Sequence, residues 1–155
     1  MHSSPERRPP LISVPTGEPA AAENGLARLT IQDMLAEARS HLVRLRPAEA
    51  QAAVREGALL VDTRSQDQRL RAGTIPGSVH MPLSVLEWRV DPDSGYQNSA
   101  VESFDDHIVL ICLEGYSSSL AARRLQQLGF WRATDVIGGF QAWRLDRLPV
   151  GKLGD

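Results

Sequence analysis

The sequence predicts an α/β fold, a three-layer α/β/α domain with helices on both faces of a mostly parallel, five-stranded central sheet. Three apolar runs carry the prediction: A-L-L-V-D-T at 58–63, H-I-V-L-I-C at 107–112 and A-T-D-V-I-G at 133–138. The first is continuously apolar up to Asp62, and all three read as buried strands, covered on both faces. Amphipathic segments of helical period separate them, and alternation of strand and helix is the signature of parallel pairing.

Taken in order, the first 28 residues are rich in Pro, Ser, Ala and charge and read as a flexible tail. A docking peptide is the alternative for this segment. Thr30 opens T-I-Q-D, an N-cap with an acid three residues on, and predicts a helix to Ser40 with Ile31, Met34, Leu35 and Ala38 inward. H-L-V-R-L alternates and reads as a strand near 42–45. Pro47 and Gly57 bracket the next helix. After the strand at 58–63, charged residues 64–72 suit a surface helix. I-P-G-S-V-H-M-P-L is a turn, a short strand near 78–81 and a second turn, because its prolines cannot lie within a helix. Residues 84–90 form a helical turn, and 91–106 a long excursion rich in turn formers. Past the strand at 107–112, a helix over 117–129 turns Ala121, Leu125 and Leu128 inward and stops at Gly129. The strand at 133–137 leads to a last helix, G-F-Q-A-W-R-L-D-R, and a short C-terminal tail, 151–155. The predicted core includes Val61, Ile75, Val109, Ile111, Ala121, Leu125, Val136 and Trp143.

Length and composition set broad bounds. A chain of 155 residues, 42% apolar and 23% charged, suits one soluble domain. A formal net charge of −2 argues against nucleic acid or a membrane surface as partner. Neither a signal-peptide core nor a run of transmembrane length is present. The four histidines, at 2, 41, 80 and 107, have no ligand spacing, so no metal or other cofactor is expected. The single cysteine cannot close an internal disulfide, which points to a reducing, cytoplasmic setting.

That cysteine, Cys112, stands where a buried strand gives way to a small polar loop and then a helix. Ligands of open α/β sheets bind at such strand ends. Successive N–H groups of a tight loop form an anion-binding nest, and the following helix adds the positive end of its dipole. The same field favours thiolate over thiol, so Cys112 is expected to be nucleophilic with a lowered pKa. Gly115 supplies the backbone freedom the loop needs. A cysteine packed as a small hydrophobe is the plainer reading of the residue alone.

C-L-E-G-Y-S-S resembles the active-site loop of rhodanese-like domains, sulfurtransferases with the pattern C-x-x-G-x-[RK]-[ST]. L-L-V-D-T-R with G-T-I-P-G-S is similar to the first signature of that family, and D-V-I-G-G-F-Q-A-W with Leu148-Pro149 to its closing stretch. The likeness covers about residues 41–150, and V-L-E-W-R-V-D-P and E-G-Y-S-S-S-L-A-A resemble a single-domain, actinobacterial group of the family. It implies a rhodanese-like domain over 29–150 and a thiosulfate sulfurtransferase-like activity. Cys112 would take sulfane sulfur from a small-molecule or protein-borne donor as a persulfide and pass it to a thiol or cyanide. Leu113, Glu114, Gly115, Tyr116, Ser117 and Ser118 would cradle the sulfur or the donor's oxygens.

Asp62 and Arg64 match the family's D-x-R and are expected to be supporting: Asp62 ordering backbone near the loop, Arg64 pairing with a carboxylate such as Asp67. His80 is expected to be structural, Glu114 to point to solvent, Trp88 and Trp143 to form core or pocket wall, and Ser118 to cap the helix. Where the family usually has Arg or Lys, this chain has Ser117. That absence weakens the case for thiosulfate and shifts preference toward uncharged or protein-borne persulfides, unless Arg89 or Arg124 supplies the charge. Two rivals remain. A phosphatase or arsenate reductase needs an arginine six residues after the cysteine, where this chain has Ser118. A non-catalytic binding or redox-sensing module is the other.

Overall fold

In the computed structural model, which describes residues 27–153, strands β1 (Leu59–Asp62), β2 (Val79–His80), β3 (Ile108–Ile111) and β4 (Thr134–Asp135) form one parallel sheet in the order β2-β1-β3-β4. The register sets Leu59 against Ile108 and Asp62 against Ile111, and Val109 against Thr134. β1 and β3 therefore end level with each other, and the chain leaves both on the same side of the sheet. Helices α1 (Ile31–Ser40), α2 (Pro47–Arg55), α3 (Gln66–Ala72), α4 (Leu86–Val90), α5 (Ser117–Gln127) and α6 (Gly139–Leu145) complete the fold, with a 3₁₀ turn over Leu83–Val85.

Strand side chains alternate between two cores. Val61, Ile108 and Leu110 face one, where Leu86 and Val90 of α4 and Ala121, Ala122 and Leu125 of α5 meet them. Leu60, Val109 and Ile111 face the other, closed by Ala50 of α2 and by Phe140 and Trp143 of α6. These are the three predicted layers. All eight predicted core residues are buried.

The sheet has four strands, not five. Residues 42–45 contribute a single parallel bridge, Leu45 to Val136, through Leu45 N–H to Asp135 O (3.0 Å) and Ile137 N–H to Leu45 O (2.8 Å). The run cannot lengthen because Pro47 begins α2 two residues later. Along α1 only Leu35 and Ala38 are buried; Ile31 and Met34 are exposed, since the helix meets the domain along the narrow line it shares with α5. Leu128 is partly buried beside its core, and Trp88 is exposed while Trp143 is buried. The tail expected over 1–28 lies outside the described residues except at Ala27 and Arg28, as do the last two residues of the expected tail 151–155. Gly151 exchanges both backbone hydrogen bonds with Thr74, at 2.9 and 2.7 Å.

One buried ion pair ties β1 to the turns beside it. Arg64 Nε and Nη2 donate to Asp62 Oδ1 and Oδ2 at 3.0 and 2.9 Å, and neither side chain has any exposed surface. Arg64 Nη2 also donates to Gly73 O at 2.8 Å, and the guanidinium lies 3.7 Å from the Phe140 ring centroid. The partner is thus Asp62 and not Asp67, which is exposed and pairs with Arg71. Residue spacing explains the correction: two residues past Asp62 the chain has turned back on the strand end, while Asp67 projects outward from α3. Removing one member of a buried pair strands the other's charge and typically costs about 3–5 kcal/mol. Because Arg69 Nε also donates to Asp62 Oδ2 at 3.3 Å, Arg64→Ala is expected to lower unfolding free energy by the lower end of that range, about 3 kcal/mol, read from the midpoint of urea denaturation.

Candidate active site

β3 delivers Cys112 to the end of the sheet, and α5 begins five residues later at Ser117. The intervening loop curls around the sulfur because its back is held. Phe140 N–H donates to Cys112 O at 2.8 Å and Gln141 N–H to Leu113 O at 3.0 Å, so the first turn of α6 binds two consecutive loop carbonyls. This approach requires glycine. A Cβ on Gly139 (φ +60°) would stand 2.5 Å from Cys112 O and 2.7 Å from Gly115 N. A Cβ on Gly115 (φ +84°) would stand 2.7 Å from Gly138 N. With the chain so turned, Gly115 N–H donates to Cys112 Sγ at 3.1 Å.

Cys112 is buried at the floor of a cleft of about 650 Å³. Leu83 and Pro82 form one wall of the cleft, and Leu113, Glu114, Tyr116 and Ser117 another. Burial pushes the Cys112 thiol up. That effect is more than offset by hydrogen bonding with the Ser118 hydroxyl and N–H, the Ser117 hydroxyl and the Gly115 N–H, leaving the group below its ordinary value. The expected activated cysteine thus has a local cause: donors crowded on sulfur.

Ser118 does not cap α5; the cap position is Tyr116, and the Ser118 hydroxyl turns inward instead. Its oxygen lies 3.2 Å from Cys112 Sγ, and it donates to Asp135 Oδ2 at 2.7 Å. Ser119 donates to the same oxygen at 2.7 Å. Arg44 closes the other side of Asp135, Nε to Oδ1 at 2.8 Å and Nη2 to Oδ2 at 3.1 Å. The Gly115 carbonyl accepts from both Arg39 Nη2 (2.9 Å) and Arg44 Nη2 (3.0 Å).

The predicted residues are only partly brought together. Leu113, Glu114, Tyr116 and Ser117 line the cleft, Gly115 and Ser118 touch the sulfur, and Glu114 is exposed as expected. Arg64 borders the cleft, and its carbonyl accepts from His80 Nε2 at 2.8 Å. Asp62 and Arg64 buttress the strand end behind it. Arg89 does not serve the site: it lies on α4 and donates to Tyr96 O, organising the excursion that follows. Arg124 is engaged with Glu87 at 2.8 Å on the surface. Sequence reading passed over Arg39, Arg44, Ser119 and Asp135. The available signal was Asp135 itself, an acid inside an apolar run, which must find buried partners.

The chain is similar to proteins already known. The Rhodanese-like domain family matches residues 46–146. A thiosulfate sulfurtransferase GlpE of Pseudomonas savastanoi pv. phaseolicola is 37% identical over 101 residues, covering 65% of this chain and 86% of its own. Human thiosulfate:glutathione sulfurtransferase is 30% identical over 91 residues, 56% of this chain and 78% of its own. A Rhodopseudomonas palustris structure, described as a protein of unknown function and possible tyrosine phosphatase, aligns with TM-score 0.72 and 33% identity over 81% of this chain and 99% of that one. With the match spanning the sheet, the Cys112 loop and the Gly138-Gly139 turn that holds it, this chain belongs to the rhodanese-like domain family.

Proposed function

We propose that the protein is a sulfurtransferase whose Cys112 thiolate carries sulfane sulfur as a persulfide. The observation that carries the reading is Cys112 Sγ lining an open cleft, with the Gly115 N–H donating to it and the Ser118 hydroxyl 3.2 Å away. With thiosulfate as donor, the thiolate attacks the outer sulfur, the donor's S–S bond breaks, and sulfite leaves with the bonding pair. A thiolate or cyanide then attacks the outer sulfur of the persulfide, and Cys112 departs as thiolate. The loop's hydrogen-bond donors stabilise negative charge on the sulfur in both steps. The chain has no second cysteine, so the acceptor comes from outside. A cytoplasmic setting would keep the single thiol reduced. Among the described residues no helix is long and apolar enough to cross a membrane.

The mouth of the cleft favours particular donors. Its one basic lining residue, Arg64, is buried against Asp62, whereas Glu114 is exposed. Leu83, Leu113 and Tyr116 give it an apolar character. A persulfide on an organic or protein carrier suits these walls better than a dianion does. The same absence of an accessible cation favours the alternative of a non-catalytic binding or redox-sensing module. Phosphatase chemistry is disfavoured, because the sixth residue after Cys112 is a serine bonded to a buried carboxylate rather than an arginine for phosphate.

Incubation with thiosulfate and with an organic persulfide, followed by intact mass measurement, is expected to add one sulfur to the wild type and none to Cys112→Ser. No addition with any donor would favour the module. A second expectation concerns pH. Because the fold favours the Cys112 thiolate, its contribution to stability is fully present above the unfolded thiol value of about 8.5. It is lost as pH falls through the lower folded value. Wild type should gain stability relative to Cys112→Ser as pH rises across that window, as measured by denaturant titration at each pH. Third, Ser117→Arg places a cation at the cleft, where it contacts donor oxygens in ground and transition states alike. A charge-assisted hydrogen bond contributes about 1.5–3 kcal/mol. A gain of about tenfold or more in kcat/KM for thiosulfate is therefore expected, mostly through KM. An unchanged KM would show that the missing cation does not limit thiosulfate use.

A further inference from the structure

Two arginines reach the Cys112 loop from outside the stretch that matches the family. Arg39 closes α1 and Arg44 lies in the connection to α2, both before residue 46. Their guanidinium groups converge on one acceptor, the Gly115 carbonyl, while the N–H of the same residue donates to the sulfur. Arg39 Nε also donates to Ser119 Oγ at 3.1 Å, so the Ser119 proton is left for Asp135. Asp135 is wholly buried and takes four hydrogen bonds, two from Arg44 and one each from Ser118 and Ser119. Ser118 is the only one of these partners whose oxygen also meets Cys112 Sγ.

We infer that Arg44, Arg39 and Asp135 are positioning residues for Cys112, a support of two cations and one buried carboxylate that fixes Gly115 and Ser118 against the sulfur. This rests on Cys112 being the reactive thiol of the proposed function. A neutral thiol donates S–H to Ser118 Oγ while the Ser118 proton goes to Asp135. A thiolate needs that hydroxyl proton for itself. Asp135 can release it because Ser119 and both Arg44 contacts remain. Without Arg44, Asp135 would be an uncompensated buried charge behind the sulfur, holding the Ser118 proton more firmly. Both effects oppose thiolate.

Among the described residues, no other charge near the sulfur duplicates this role. Glu114 of the loop is exposed, and the first turn of α5 has no acid. Beyond β1, Asp62 is closed by Arg64 and Arg69. On α6, Arg144 is exposed.

The test is the alkylation rate of Cys112 in the full chain as a function of pH. The chain's one cysteine makes the signal specific, and no sulfur donor is involved. A chain that never forms a persulfide would still report, so failure here is distinguishable from failure of the proposed function. A charge change at this range alters the thiolate fraction by about threefold to thirtyfold. Arg44→Gln is expected to slow alkylation at pH 7 by such a factor, and Asp135→Asn to leave it equal or faster. The double variant should return to within about twofold of wild type, because the two charges leave together. Arg44→Lys, which keeps the charge, should recover most of the rate. A merely structural role predicts instead that both single variants slow the reaction and that the double is slowest. That result, or no change in any variant, would overturn the inference. Should Arg44→Gln fail to fold, Arg39→Gln leaves the Arg44–Asp135 pair intact. It is expected to slow alkylation by a smaller factor, and an unchanged rate there would equally overturn it.

Discussion

The Cys112 loop keeps its shape because the backbone of α6 is bonded to the back of it. Two consecutive amides, those of Phe140 and Gln141, take the carbonyls of Cys112 and Leu113. That contact is possible only where Gly139 lets two backbones approach within the space a Cβ would fill. Everything the sulfur experiences follows from it. With the carbonyls committed behind the loop, Gly115 turns its N–H forward, and α5 starts close enough for Ser118 to reach Sγ.

The two buried ion pairs serve this arrangement in different ways. Asp62 and Arg64 close on each other at the end of β1 and secure the turn that forms one side of the cleft. Buried pairs of this kind contribute less net stability than their geometry suggests, since desolvation offsets much of the attraction. Their value here is positional. Arg44 and Asp135 lie on the opposite side, and their hydrogen bonds continue through Ser118 and Gly115 to the sulfur. A thiol in an apolar pocket would be held neutral; this one meets hydrogen-bonding groups of Ser118, Ser117 and Gly115, which outweigh the effect of burial.

The same construction accounts for the unusual chemistry at the mouth. A loop with its own basic residue presents a cation to solvent and to the donor. In this chain Arg39 and Arg44 stand behind the loop, half-buried and hydrogen-bonded to its backbone. The cleft itself is lined by Pro82, Leu83, Leu113 and Tyr116, by hydroxyls such as those of Thr63 and Ser84, and by one exposed acid, Glu114.

Much of this was legible in the sequence because it is local. The runs at 58–63, 107–112 and 133–138 have the length and flanking turn residues of strands covered on both faces, and Cys112 with its loop follows one of them directly. Gly115 and the serines sit within six residues of the cysteine, so chain geometry alone places them near it. Partners distant in sequence were not legible. Arg44 and Asp135 are 91 residues apart, and Arg89 looked as suitable a cation as either arginine that reaches the loop. The fifth strand failed for a related reason: alternation at 42–45 satisfies the period of a strand, yet only the packing of Pro47 and α2 determines how far the segment can pair. Hydrophobic period and backbone chemistry are properties of short stretches, and these the sequence determined. Which charge meets which buried acid depends on where the folded elements bring their ends, and that only the tertiary structure decided.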